Sequence, residues 1–223
     1  MNQKNLPKTE GVTQYQLDFR SAPAPDWSAC EELEAWRTLL FRLRLTGQDH
    51  HRYGGLAYGN VSRRISPDRF LISGTQTGGL PRLSAQHYCR VECCDVGRNK
   101  IVAEGVTPPS SEALTHGAAY LASSAIQCVV HAHSPELWTH AKALAIPATD
   151  PEVTYGTPAM AASVAALLRE NPFQVIAMGG HEDGILSCGA TPEFAAQNLI
   201  HHLAAAIRLD SGQRVGVQKQ GGI

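Results

Sequence analysis

The chain has 223 residues, 43% hydrophobic and 17% charged, with a formal net charge of −1. That balance is globular, too apolar for a disordered chain and too evenly charged to be drawn to nucleic acid or an anionic membrane. No stretch approaches the ~18 consecutive apolar residues that span a bilayer, and the opening MNQKNLPKTEGVTQYQLDF lacks an apolar run of signal-peptide length, so a cytoplasmic protein is expected.

Residues 1–26 are polar, with Pro7, Pro23 and Pro25, and read as a flexible N-terminal arm. A helix is expected from about Ser28, with Ser28 as N-cap, Glu31 completing a capping box, and Gly47 as the stop. Leu33, Trp36, Leu40 and Leu43 keep its 3.6-residue period. GGLAYGNVSRRI then gives a glycine-rich turn and a strand. Phe70–Ile72 is a short strand, followed by the loop SGTQTGG. HYCRVECCDVGRNKIVAEG reads as a hairpin turning at DVGRNK.

A helix starts near Ser111, after two prolines. AIQCVVHAH is a strand, SPELWTHAKALA a helix with Pro135 in its first turn, and TPAMAASVAALLREN another helix. FQVIAMGGH and GILSCG are strands joined through HEDG, and a last helix follows, capped by Thr191. Residues 211–223 read as a mobile tail. With no repeat and no linker, residues 27–210 are expected to form one α/β domain with a mixed sheet. The six cysteines show no CxxC spacing and are expected to be free thiols.

The chemistry concentrates in CVVHAHSPE, residues 128–136. Alternate residues of a strand share a face, so His131 and His133 present two imidazoles together. Such a pair suits a divalent metal, though two ordinary strand-end histidines have the same pattern. His181, after a strand and among glycines, is the best third ligand. Glu112 opens a helix, where the macrodipole favours a carboxylate. Ser110, Ser111, Tyr58–Asn60 and Ser73–Gly79 are small-polar stretches able to hold an anion.

Taken in order, GNVS (59–62), ISGTQTG (72–78), PSSEALTH (109–116), HAHSPE (131–136), YGTPAMA (155–161) and GGHEDGILSCG (179–189) resemble the class II aldolase/adducin family. The resemblance runs from about residue 30 to residue 208. It implies an α/β/α sandwich with a mixed, largely antiparallel sheet, and a homotetramer with active sites between subunits. It implies zinc, or another divalent ion such as manganese or iron, on His131, His133 and His181, with Glu112 as acid/base and also a ligand when the site is empty. Asn60, Ser73, Gly74, Thr75, Ser110 and Ser111 match the family's substrate-anion pocket. The implied activity is retro-aldol cleavage of a small sugar phosphate or sugar acid, in which a Lewis-acidic cation stabilises an enediolate and a carboxylate shuttles the proton.

The chain departs from the family in three places. HEDG stands where the family has His-Gly, so Glu182 and Asp183 are additions. The SGTQTGG loop is long, which leaves Ser73-Gly74 and Thr77-Gly78 as rival anion pairs, and it holds no lysine or arginine. The tail has no tyrosine to match the family's C-terminal proton donor; Tyr155 is a substitute or a packing residue. Dehydratase, epimerase and decarboxylase chemistry use the same metal, and an adducin-like interaction module uses the fold without it.

Overall fold

The computed structural model describes residues 12–220, with side chains described as far as Ser211. Residues 1–11 and 221–223, the outer parts of the expected arm and tail, lie outside the described residues.

An eight-stranded sheet runs through the middle. Its strands are β1 (Gln16–Ser21), β4 (Asn60–Ser66), β5 (Arg69–Ser73), β6 (Tyr88–Asp95), β7 (Lys100–Gly105), β8 (Cys128–His133), β9 (Val175–Ala177) and β10 (Gly184–Gly189). The order is β1-β7-β6-β5-β4-β8-β10-β9, and β2 (Gly47–Gln48) and β3 (Ala57–Tyr58) form a separate pair. Only β1 and β7 run parallel; every other neighbouring pair in the sheet is antiparallel. The expected mixed, largely antiparallel sheet is what the chain forms.

Five helices cover the two faces: α1 (Glu31–Arg42), α2 (Ala113–Ala122), α3 (Pro135–His140), α4 (Pro158–Glu170) and α5 (Pro192–Gln220). β8 is buried along its whole length, so both of its faces need apolar cover. Val129 joins the core under α2 and α4, with Leu114, Met160 and Val164. Cys128, Val130 and Ala132 join the opposite core under α1, α3 and α5, with Leu33, Leu137 and Leu199. The three layers follow from this alternation. All six cysteines are free.

Four local expectations are corrected. Ser28 is not the cap of α1: Asp26 caps a short turn by accepting from Ser28 N, and α1 begins at Glu31 behind Cys30, which makes no side-chain cap. Glu31, Glu32 and Glu34 in the first turn supply negative charge at the helix's positive end instead. The helix also stops before Gly47. Arg44 takes φ 60°, Arg44 N bonds Phe41 O and Leu45 N bonds Leu40 O, a Schellman ending built without glycine.

Part of the expected arm, Gln16–Ser21, is an edge strand pairing Gln16 with Lys100 through Ser21 with Gly105. Backbone bonds, the Arg20–Glu104 ion pair and the partly buried Phe19, packed against the core, hold it there, while its other side chains are exposed. At the other end, α5 runs to Gln220, through the stretch expected as a tail. Once a helix is nucleated, each added residue gains a hydrogen bond, so glycine's cost of ~1 kcal/mol does not by itself end it.

Candidate metal centre

β8 places His131 and His133 on the face covered by α2 and α4, at the strand's end. Ser134 and Pro135 turn the chain into α3, with Ser134 Oγ accepting from Leu137 N at 3.2 Å. His133 is also fixed from behind, its N–H donating to Leu45 O at 2.9 Å, the residue that closes α1.

His181 reaches the same spot from the turn before β10. Met178 N donates to Gly184 O and Gly184 N to His181 O, both at 2.8 Å. The glycines here answer to close approach. A Cβ on Gly179 would overlap Thr149 O and one on Gly180 would overlap Val153 O, while Gly184, opposite His133, leaves room for the His181 ring. Tyr155 stacks on His181, with ring centroids 4.6 Å apart and planes at 26°.

The three imidazoles offer ligand atoms that all lie within 4.8 Å of one another, and all three residues are buried. His131 Nε2 is buried with no hydrogen-bond partner among the described residues. Burial, then His181 and His133, push the pKa of His131 well below the usual histidine range. Burial, then His181 and Arg52, do the same to His133. Both rings are therefore neutral at physiological pH and need not lose a proton to bind a cation. A cluster of neutral nitrogen donors, one of them a buried orphan, fits a borderline divalent ion such as zinc.

Glu112 lies alongside, 1% exposed. Its Oε2 accepts from Thr115 Oγ1 at 2.9 Å, and its Oε1 is 4.0 Å from His181 Nδ1. It stands at the N-cap of α2, one residue before the helix proper. Asn60 touches the cluster from β4, with Nδ2 at 3.3 Å from His131 Nδ1.

A small polar cleft adjoins the histidine cluster, sharing Asn60 with it. Asn60, Gly74, Thr75, Gly78, Ser110 and Ser111 line it. Ser73 does not; its Oγ accepts from Val61 N at 3.1 Å. The amides of Gly74 and Thr75 are committed to His87 O and Pro108 O, at 2.8 and 2.9 Å. Thr77 N closes the turn at residues 75–76, whereas the amides of Gln76, Gly78 and Gly79 have no acceptor among the described residues. Between the two rival pairs, only Thr77-Gly78 has an amide to give, that of Gly78.

The added residues of HEDG part company. Glu182 is exposed, whereas Asp183 is buried and accepts from Arg52 and from Tyr53 OH, the latter at 2.7 Å. Tyr53 then sits edge-on to His133, with centroids 4.6 Å apart. Arg52 and Tyr53 were not legible as site residues. Their partner Asp183 is 130 residues from Tyr53, and nothing local marks the segment except its glycines.

A family model described as Class II Aldolase and Adducin N-terminal domain matches residues 46–208. Among solved structures, the chain is similar to L-fuculose-1-phosphate aldolase from Thermus thermophilus, at 20% identity over 88% of this chain and 97% of that one, with a TM-score of 0.60. A sugar-phosphate aldolase from Thermotoga maritima gives 13% identity, 88% and 97% coverage, and a TM-score of 0.64. An aldolase II superfamily protein from Pseudomonas syringae gives 20% identity, 85% and 77% coverage, and a TM-score of 0.59. At these identities the likeness is one of fold. A search of curated proteins returns no match.

Proposed function

Because this chain belongs to the Class II Aldolase and Adducin N-terminal domain family, we propose that it is a divalent-metal-dependent lyase of the aldolase type. Its substrate class is a small hydroxylated carbonyl compound with an anionic end, a sugar phosphate or a sugar acid. The observation that carries the reading is the convergence of His131, His133 and His181, with Glu112 Oε1 4.0 Å from His181 Nδ1. An adducin-like scaffold has no need of three buried imidazoles around one point.

His131, His133 and His181 would hold the ion, zinc by the softness of their nitrogen donors. When bound, the ion supplies Lewis acidity toward the negative charge that carbon–carbon cleavage leaves on neighbouring substrate oxygens. The chain's own residues do the rest. Glu112 is the acid/base: it takes the proton from the substrate hydroxyl as the bond breaks and returns one to the carbon freed. Thr115 orients it, and its position on the rigid start of α2 keeps the reach constant. Asp183 is the other buried carboxylate nearby, and it is committed to Arg52 and Tyr53.

The anionic end of the substrate sits in the adjoining cleft, on the amides of Gln76, Gly78 and Gly79 and the hydroxyls of Ser110 and Ser111. Asn60 lines both regions and orients the substrate between them. Subunits assemble as tetramers in this reading.

The test is a panel of ketose phosphates and sugar acids incubated with zinc-loaded protein, with products resolved by NMR. Cleavage to two carbonyl fragments, lost in Glu112→Gln, is expected. Conversion to an epimer, loss of water or loss of carbon dioxide would instead assign other chemistry to the same metal. No conversion by a fully metal-loaded chain would contradict an enzyme.

A further inference from the structure

α1 carries Arg37 into the interior, where it is 1% exposed. A guanidinium stays protonated in proteins, so this is a buried cation. No carboxylate pairs with it among the described residues. Glu34, one turn earlier and also buried, supplies negative charge near it without touching it, its oxygens accepting from Thr38 Oγ1, Leu83 N and Tyr88 OH. Arg37 Nη2 donates to Thr77 O at 3.1 Å and to Gly78 O at 2.8 Å, while its Nη1 is buried with no partner. A buried charge without a contacting counter-charge is costly; Glu34 at a distance, two carbonyls and the Phe41 ring, 5.2 Å from the guanidinium, offset it in part.

Those two carbonyls belong to the loop that borders the polar cleft. In a trans peptide the C=O and the following N–H point in opposite directions. With Gly78 O on Arg37, and Thr77 O held by Arg37 and by Leu80 N, each at 3.1 Å, the N–H groups of Gly78 and Gly79 are turned away from the guanidinium, and Gly78 lines the cleft. The same two amides have no acceptor among the described residues. Gly78 is pressed so closely on Tyr58 O that a Cβ would overlap it, so the loop cannot easily take another course. None of the residues lining the cleft is basic.

We infer that Arg37 is the cationic support of the anion-binding loop: it helps set the direction of the Gly78 and Gly79 amides, and its charge, met only in part by Glu34, favours the substrate's phosphate or carboxylate in the cleft. This rests on the reading of the cleft as the substrate's anionic end. Arg37 does not touch the ligand; it is a positioning residue whose field acts through two peptide groups. The lack of any lysine or arginine in SGTQTGG is thereby made good from a helix some forty residues earlier in the chain.

The test is calorimetric titration of the zinc-loaded full chain with inorganic phosphate and, separately, with malonate, which tells a phosphate site from a carboxylate site. Repeating it after chelation removes binding to the metal itself. Arg37→Gln keeps an N–H donor for the loop carbonyls but has no charge; Arg37→Lys keeps the charge. The wild type is expected to bind one anion, Arg37→Gln roughly tenfold more weakly or worse, and Arg37→Lys in between, with zinc stoichiometry equal in all three. If Arg37→Gln does not fold, the weakening in Arg37→Lys carries the test. Anion affinity unchanged in the variants overturns the role of Arg37 and leaves the cleft standing. Failure of the wild type to bind either anion overturns the cleft and the inference together.

Discussion

Asn60 and His131 stand opposite each other in the β4–β8 ladder, and Asn60 Nδ2 lies 3.3 Å from His131 Nδ1. Amide oxygen and nitrogen are assigned from such networks, and Asn60 Oδ1 has no partner among the described residues. Turning the amide over makes Oδ1 the acceptor for a proton on Nδ1, which leaves the Nε2 lone pair for a metal. Asn60→Ala is therefore expected to weaken zinc binding about tenfold, while Asn60→Asp, which keeps an acceptor, retains it. Competition against a chelating dye measures both.

Gly180→Ala is expected to cost metal affinity without touching a ligand. Its Cβ would overlap Val153 O, a backbone atom that cannot swing aside. The turn must shift, and His181 shifts with it. Overpacking of this kind costs about 1–3 kcal/mol. Zinc affinity and the thermal midpoint should fall together, and a variant with wild-type zinc affinity would show that the turn yields elsewhere.

The metal-free protein should lose stability on acidification. His116 is fully buried, and burial lowers its pKa to about 3; His131 and His133 are lowered by burial and by their neighbours. Unfolded, each titrates near ~6.5. Below that pH the unfolded chain binds protons that the folded chain refuses, so stability falls with pH, by up to about 1.4 kcal/mol per unit for each histidine. For His116 the loss continues down to about 3. Urea midpoints of chelator-treated protein should be flat above pH ~6.5 and fall below it, with a shallower slope in His116→Gln.

The sheet and the histidine cluster were legible because their signals are local. His131 and His133 share a strand face, His181 follows two glycines that only close packing explains, and Glu112 follows two serines at a helix start. Residues whose roles depend on distant partners left no such trace. Arg37 meets Thr77 and Gly78, and Asp183 meets Arg52 and Tyr53, only after folding. β1 was missed for a related reason: it is held by backbone pairing at an edge, and its side chains are nearly all exposed. The end of α1 misled because Arg44, not glycine, takes the left-handed turn.

Asp183→Ala should loosen the segment around Tyr53. It leaves the Tyr53 hydroxyl and Arg52 without their shared acceptor, a change worth about 1–3 kcal/mol. The expected result is a lower thermal midpoint and faster proteolysis within residues 49–55, with zinc affinity lowered far less than in His181→Ala, because Tyr53 packs on the His133 ring without being a ligand. Loss of zinc in this variant would instead make Asp183 part of the metal site.

The central claim is a three-histidine metal site, and metal content after zinc loading and desalting tests it most directly, in the wild type and in His181→Ala. About one ion per chain in the wild type, little in His181→Ala, and full occupancy in Glu112→Gln are predicted. A wild type that retains no zinc, or a His181→Ala variant that retains as much as the wild type, would contradict the account.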